Sequence, residues 1–149
     1  SMKYVNEYEG INSRTDEIQA AALRVKLPRL DIDNEHRRQI ARKYMNGIKN
    51  PMIILPLWPQ DDQECVWHLF PIRCAERDSL QKYLSEAGVQ TLIHYPIAPH
   101  KQEALKHLEH GPLPLTQRIH EEELSLPISP IMTEDDAEFV INLLNKFVK

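Results

Sequence analysis

Two short polar stretches carry the groups best suited to chemistry. Gly10-Ile11-Asn12-Ser13-Arg14-Thr15-Asp16-Glu17 brings an amide, a hydroxyl and a guanidinium to the point where a helix would begin. Leu92-Ile93-His94-Tyr95-Pro96 brings an imidazole and a phenol to the place where an apolar run meets a proline. The first set, added to the free N–H groups of a helix N-terminus, is a good phosphate-binding combination. The same residues also make an ordinary helix start, with Asn12 and Ser13 as caps and Arg14 solvated. His94 suits donation to a phosphate or acid–base work, and Tyr95 suits stacking or donation. The structural alternative is a half-buried His-Tyr pair held by a rigid or cis X-Pro turn.

Two further patterns carry less. Ser79-x-x-Lys82 matches a Ser-x-x-Lys acyl-transfer pattern, but it sits at a charged helix start without the companion motifs of such enzymes. His100, Glu103, His107 and His110 are close in sequence, and Glu103 and His107 are four residues apart, a spacing that can hold zinc. Gly111 and Pro112 end that helix at once and no fourth ligand follows, so a solvated face is expected and no metal is assigned.

The elements that must position these groups are read from periodicity. Asp16 to Leu27 predicts a helix with Ile18, Ala21, Ala22 and Val25 on one face, capped by Thr15 or Ser13 and interrupted at Pro28. Asp33 to Gly47 predicts a second, with Ile40, Ala41 and Tyr44 inward and Arg37, Arg38, Arg42 and Lys43 outward. A proline-punctuated connection follows, with a short strand at Ile53-Ile54-Leu55. Val66 to Cys74 reads as a strand, at an edge or with a bulge because of Pro71. Asp78 to Ala87 is a helix capped by Asp78 and stopped by Gly88, and Val89 to Tyr95 is a strand. Lys101 to Leu108 and Leu115 to Glu123 are short helices, and Leu124 to Pro127 is extended. Thr133 opens the last helix, whose apolar face is Phe139, Val140, Leu143, Leu144 and Phe147. Interleaved strands and helices with short connections give an α+β class, with no repeat and no clear domain boundary.

Composition sets the bounds. The 149 residues are 42% hydrophobic and 27% charged, ordinary for one globular domain with a modest core. A net charge of −4 argues against non-specific nucleic-acid binding. No apolar run approaches membrane-spanning length, and no signal peptide is read. Ser1-Met2 reads as a tag scar plus a methionine. Cys65 and Cys74 flank one extended strand and would lie roughly 30 Å apart, too far to bridge. Reduced thiols fit a cytoplasmic protein.

Several motifs in order resemble one family. Asn12-Ser13-Arg14-Thr15-Asp16-Glu17-Ile18-Gln19-Ala20-Ala21, then Leu23-Arg24-Val25-Lys26-Leu27, is similar to the "N-x-R-x-D-E-x-Q-A-A-x-L-x-x-K-L" helix of the DegT/StrS nucleotide-sugar aminotransferases. Arg37-Arg38-x-Ile40-Ala41-x-x-Tyr44 continues it. Trp67-His68-Leu69-Phe70-x-Ile72-Arg73 resembles the family's "Y-H-L-F-x-I-R" strand, and His94-Tyr95-Pro96 and Leu124-Ser125-Leu126-Pro127 complete the series. Thr15 stands where methionine or leucine is common, and Trp67 where tyrosine is common. The lead-in Lys3-Tyr4-x-Asn6-Glu7-Tyr8-x-Gly10 is most similar to members that aminate 3-keto-6-deoxyhexoses on dTDP.

The resemblance implies an α+β fold, the small C-terminal domain of the type I pyridoxal-phosphate aminotransferases. It would have a short, mostly antiparallel sheet packed with helices, preceded by a long linking helix broken near Pro28. Residues 11–49 would be the linking helices and 50–149 the small domain. It implies transfer of an amino group, usually from glutamate, to a nucleotide-linked keto-sugar in polysaccharide or deoxysugar biosynthesis, in a cytoplasmic homodimer with shared active sites. Asn12 would reach the phosphate of pyridoxal phosphate in the partner subunit. Arg14 would contact the nucleotide sugar, with His94 and Tyr95 near its diphosphate or sugar. No lysine here sits in the family's cofactor-binding loop, so no catalytic residue is assigned in this chain, no covalently bound cofactor is expected on it, and the large domain is expected to be absent. The alternative is a free-standing, catalytically inactive binding or interaction domain with the same fold. The native reading frame would separate the two.

Overall fold

The structure is a computed structural model that describes residues 16–102, 107 and 111–148. It divides into two compact units, Ser1–Asp31 and Ile32–Lys149. In the first, helix α1 spans Glu17–Lys26. Its cap is Asp16, whose carboxylate accepts from the Ile18 N–H at 2.8 Å, rather than the expected Thr15 or Ser13, which lie outside the described residues. The acid does the capping because its side chain reaches the free amide of the first turn and suits the positive helix end. None of the residues of α1 is buried. At Pro28 the chain tightens into a 3₁₀ turn, Leu27–Arg29, and then resumes as α2, Leu30–Gly47. Proline has no N–H to give an α-helix but is tolerated in a first turn. The break is therefore where the sequence put it, and α2 starts three residues before the expected Asp33.

The second unit is built on a three-stranded antiparallel sheet of order β1-β2-β3: β1 is Ile53–Ile54, β2 Phe70–Cys74 and β3 Glu123–Leu126. Between β2 and β3 run α3, Arg77–Glu86, and α4, Pro114–Glu122, and α5, Glu134–Lys146, follows β3. The β2–β3 register pairs Phe70 with Leu126, Pro71 with Ser125, Ile72 with Leu124 and Arg73 with Glu123. Alternation thus sorts the sheet into two faces. Phe70, Ile72, Leu124 and Leu126 join the core with Ile40 and Tyr44 of α2, Leu80 and Leu84 of α3 and Leu144 of α5. Pro71, Arg73, Glu123 and Ser125 share the opposite, polar face. Tyr44 packs on Phe70 at 5.0 Å between ring centroids, and its hydroxyl donates to Pro127 O at 2.8 Å, with burial pushing the phenol's pKa up.

Several expectations are corrected. β2 is the central strand, not an edge. Ser125 spends its backbone N–H and C=O on Leu92, so Pro71 faces it without a ladder bond, and the other side of Pro71 lies beyond the two residues that β1 pairs. The missing proline N–H therefore leaves no gap. β2 begins at Phe70 rather than Val66, because Trp67 adopts φ 49° and cannot join an extended ladder. The strand foreseen at Val89 to Tyr95 is reduced to one bridge, Leu92 with Ser125. On one side Pro127 has no N–H to continue it; on the other the Glu123 carboxylate captures the His94 N–H. Asp78 does not cap α3: Glu76 holds the cap position, where its side chain makes no capping bond to the helix, and Asp78 pairs with Arg77 in the first turn. Gly88, at φ 83°, ends the helix as expected. Arg38 is buried, not outward, and its Nε donates to Cys65 O at 3.1 Å. In α5, capped by a reciprocal Thr133–Asp136 box, Phe139 is exposed while Ala137 and Ile141 are buried. α4 and the segment Leu124 to Pro127 fall within a residue of expectation. The helix expected at Lys101 to Leu108 lies largely outside the described residues, after a 3₁₀ turn at Pro99–Lys101.

Candidate functional site

The polar face of the sheet positions the chemistry of the second unit. All four residues of β3 are buried, and within Glu123-Leu124-Ser125-Leu126 the two polar side chains stand on one face. His94 enters beside them. Its N–H donates to Glu123 Oε2 at 2.6 Å, and its Nδ1 lies 2.9 Å from Ser125 Oγ. The Ser125 hydroxyl donates to Glu123 Oε1 at 2.6 Å. One carboxylate therefore holds both the backbone and, through a hydroxyl, the ring of His94. The Glu123 carbonyl accepts from Arg77 Nη1 at 3.2 Å, which fixes the strand from behind.

Tyr95 diverges from its neighbour. Its ring meets that of His94 edge-on at 5.5 Å, and the residue is 67% exposed. Its carbonyl accepts from His120 Nδ1 of α4. The His94–Tyr95 peptide bond is cis, one residue before the Tyr95–Pro96 bond to which the sequence pointed. A second polar cluster borders the first. Glu122 takes Arg73 Nε at 3.0 Å and Nη2 at 2.8 Å on one oxygen and Arg118 Nε at 2.7 Å on the other. The Arg118 bond, then that of Arg73, holds the Glu122 carboxyl below the usual carboxylate range, against the opposing effect of burial.

Asn12 and Arg14, the other site residues expected from sequence, lie outside the described residues. Lys82 of the Ser79-x-x-Lys82 pattern is exposed on α3 beside Glu86, which fits the solvated helix start. Glu103 and His110 are outside the described residues, and among the described ones no group of three or more His, Cys, Asp or Glu could hold a metal. Cys65 and Cys74 are free, the latter buried. An apolar groove of about 780 Å³, lined by Leu92, Pro127, Ile131, Met132 and Phe139 among others, does not include His94 or Tyr95. Sequence reading missed Glu123 and Ser125. The available signal was the strict alternation of polar and apolar residues in Glu123-Leu124-Ser125-Leu126, which puts two acceptors side by side on a strand.

The DegT/DnrJ/EryC1/StrS aminotransferase family model matches residues 1–145. The chain belongs to this family. It is 50% identical over 145 residues to the dTDP-3-amino-3,6-dideoxy-alpha-D-galactopyranose transaminase of Aneurinibacillus thermoaerophilus, covering 97% of this chain and 40% of that protein. It is 38% identical over 150 residues to the dTDP-3-amino-3,4,6-trideoxy-alpha-D-glucose transaminase of Streptomyces venezuelae, covering 99% and 39%. Among solved structures, S. venezuelae DesV in complex with ketimine intermediate superposes with a TM-score of 0.85 at 38% identity, over 99% of this chain and 41% of that one. A family aminotransferase from Brucella abortus gives 0.84 at 34% identity, over 96% and 38%. The chain thus spans about two-fifths of the length of the relatives it matches, in their C-terminal region, and its α+β fold is that of the corresponding part of a DegT-family aminotransferase. Among the described residues no helix is long and apolar enough to cross a membrane.

Proposed function

We propose that this DegT-family chain forms the substrate-facing C-terminal part of an aminotransferase that aminates a nucleotide-linked keto-sugar. The observation that carries the reading is the family match over residues 1–145 together with relatives named as dTDP-sugar transaminases. The half-buried His94, held by Glu123 and Ser125 next to an exposed Tyr95, supports it. Such an arrangement suits a ligand rich in hydroxyls and phosphate oxygens. The 50% identity to a dTDP-3-amino-3,6-dideoxyhexose transaminase favours a 3-keto-6-deoxyhexose on dTDP, and glutamate is the amino donor that the family resemblance implies.

Pyridoxal phosphate would supply the electron sink that lets an amino group move between donor and sugar. This chain would bring it the Asn12 amide, whose N–H donors suit a phosphate oxygen of the partner subunit's cofactor. Arg14 would hold the nucleotide sugar as a planar fork, and His94 and Tyr95 would line its path. The lysine that binds the cofactor would come from a large domain outside this chain. Assembly as a homodimer fits α1, where Ile18 is 81% and Val25 77% exposed, an apolar surface that the large domain and a neighbouring partner subunit would cover.

Arg14→Ala in the intact enzyme tests the reading. A charge-assisted hydrogen bond is worth about 1.5–3 kcal/mol, so kcat/KM for the nucleotide sugar should fall roughly tenfold to a hundredfold. Cofactor retention, read by absorbance after gel filtration, should not change. Unaltered kinetics toward the nucleotide sugar would refute the assignment.

A further inference from the structure

Ser125 has one hydrogen to donate, and it goes to Glu123 Oε1 at 2.6 Å. Toward His94 Nδ1, at 2.9 Å, the hydroxyl is therefore an acceptor. The hydrogen in that contact must come from the ring. The other Glu123 oxygen is committed to the His94 backbone N–H at 2.6 Å, so the carboxylate cannot rotate away without losing a bond. Glu123 and Ser125 are 5% and 4% exposed, which leaves water little chance to substitute for either. Sequence places both on the same face of β3, and register with Pro71 and Arg73 keeps them there.

We propose that Glu123 and Ser125 are positioning residues that hold a His94 hydrogen on Nδ1, so that the neutral form of the ring presents Nε2 as an acceptor toward a hydroxyl of the bound sugar. The proposal rests on the reading of His94 as a substrate contact. It deepens that reading by giving the direction of the bond. An imidazole in the opposite tautomer would offer Nε2–H and would favour a phosphate or carbonyl oxygen instead.

The relay has a testable polarity. In Glu123→Gln the side-chain carbonyl must face the His94 N–H, which needs an acceptor, so the amide NH₂ faces Ser125. Ser125 Oγ then accepts from Gln and turns its own hydrogen to His94 Nδ1. The ring should switch to the Nε2–H form. Ser125→Ala removes the acceptor and should release His94 to the mixture of a free imidazole, whereas Ser125→Thr keeps the hydroxyl and should preserve the Nδ1–H form.

Long-range nitrogen–proton correlation NMR of the 149-residue chain reads this without any ligand, at a pH above the ordinary histidine value of about 6.5. The His94 signals are assigned by their loss in His94→Gln. Expected are a protonated Nδ1 and an unprotonated Nε2 in the wild type, inverted in Glu123→Gln. A wild type with hydrogen on Nε2, or a folded Glu123→Gln that keeps it on Nδ1, would overturn the proposal. If Ser125→Ala does not fold, the wild type and Glu123→Gln still decide. In the intact enzyme Glu123→Gln should lower kcat/KM for the nucleotide sugar about tenfold or more, as one ligand hydrogen bond is lost, with cofactor retention unchanged. An inverted ring with unaltered kinetics would leave the relay standing and refute the substrate contact beneath it.

Discussion

Replacing Glu122 by glutamine should destabilise the fold by about 2–3 kcal/mol at neutral pH. The side chain sits at the C-terminus of α4, where the helix dipole disfavours a negative charge. It is tolerated because two guanidinium groups make three hydrogen bonds to it, at 3.0, 2.8 and 2.7 Å. The shares are unequal. Arg118 has the shortest bond and the larger influence on the carboxyl's proton affinity, but its side chain is 63% exposed and water competes for it. An exposed i,i+4 pair contributes about 0.3–0.5 kcal/mol. The Arg73 side chain is 28% exposed, and its two bonds to a nearly buried oxygen carry the rest, about 1.5–3 kcal/mol. The loss stays below that of a fully buried pair because Arg73 can still reach water. The pH dependence has a definite sign. The folded carboxyl has a lowered pKa, so its contribution is complete above the unfolded value of about 4.3 and disappears as pH falls through the folded one. Urea unfolding of wild type and Glu122→Gln across pH should show a constant gap near neutrality that narrows below about pH 4.3, as the wild type loses its advantage. Arg73→Ala should cost more than Arg118→Ala. A gap under about 0.5 kcal/mol, the range of an exposed pair, or one that persists unchanged into acid, would refute the reasoning.

Asn50 ties the segment before β1 to the end of α5. Its amide donates to Leu144 O at 2.8 Å and Phe147 O at 2.7 Å, and its oxygen accepts from Met52 N at 3.0 Å. Asn50→Ala should cost about 2–4 kcal/mol by urea unfolding, since buried carbonyls lose their donor. A Cβ on Gly47 would stand 2.7 Å from Ile141 Cδ1 and 3.0 Å from its Cγ2. Gly47→Ala should therefore lower Tm despite the gain of roughly 1 kcal/mol in helix propensity, and Ile141→Val in the same chain, which removes Cδ1, should recover part of the loss.

Legibility in the sequence followed the range of the interactions. The break at Pro28, the stop at Gly88 and the span of α4 depend on nearby residues, and each appears where local chemistry put it. The inward set Ile40, Ala41 and Tyr44 was plain from helical spacing. Arg38 was not, because its burial depends on Cys65 O, brought near only by the fold. Pro71 misled because a proline in a strand suggests an edge. Its place in the central strand follows from Leu92 taking the Ser125 backbone groups, a pairing that no local pattern shows. Likewise His94 stood out by type, whereas Glu123 and Ser125 lie about thirty residues away and acquire meaning only when β3 runs beside it.

The central claim is that this chain supplies the sugar-facing part of a nucleotide-sugar aminotransferase, and a transamination assay tests it most directly. The intact gene product containing these residues is incubated with pyridoxal phosphate, glutamate and a dTDP-linked 3-keto-6-deoxyhexose, and the nucleotide sugar is followed by mass spectrometry. The account predicts glutamate-dependent conversion of the keto-sugar to the 3-amino-sugar, strongly reduced in Arg14→Ala. A cofactor-loaded, folded enzyme that leaves every nucleotide-linked keto-sugar unaminated would contradict it.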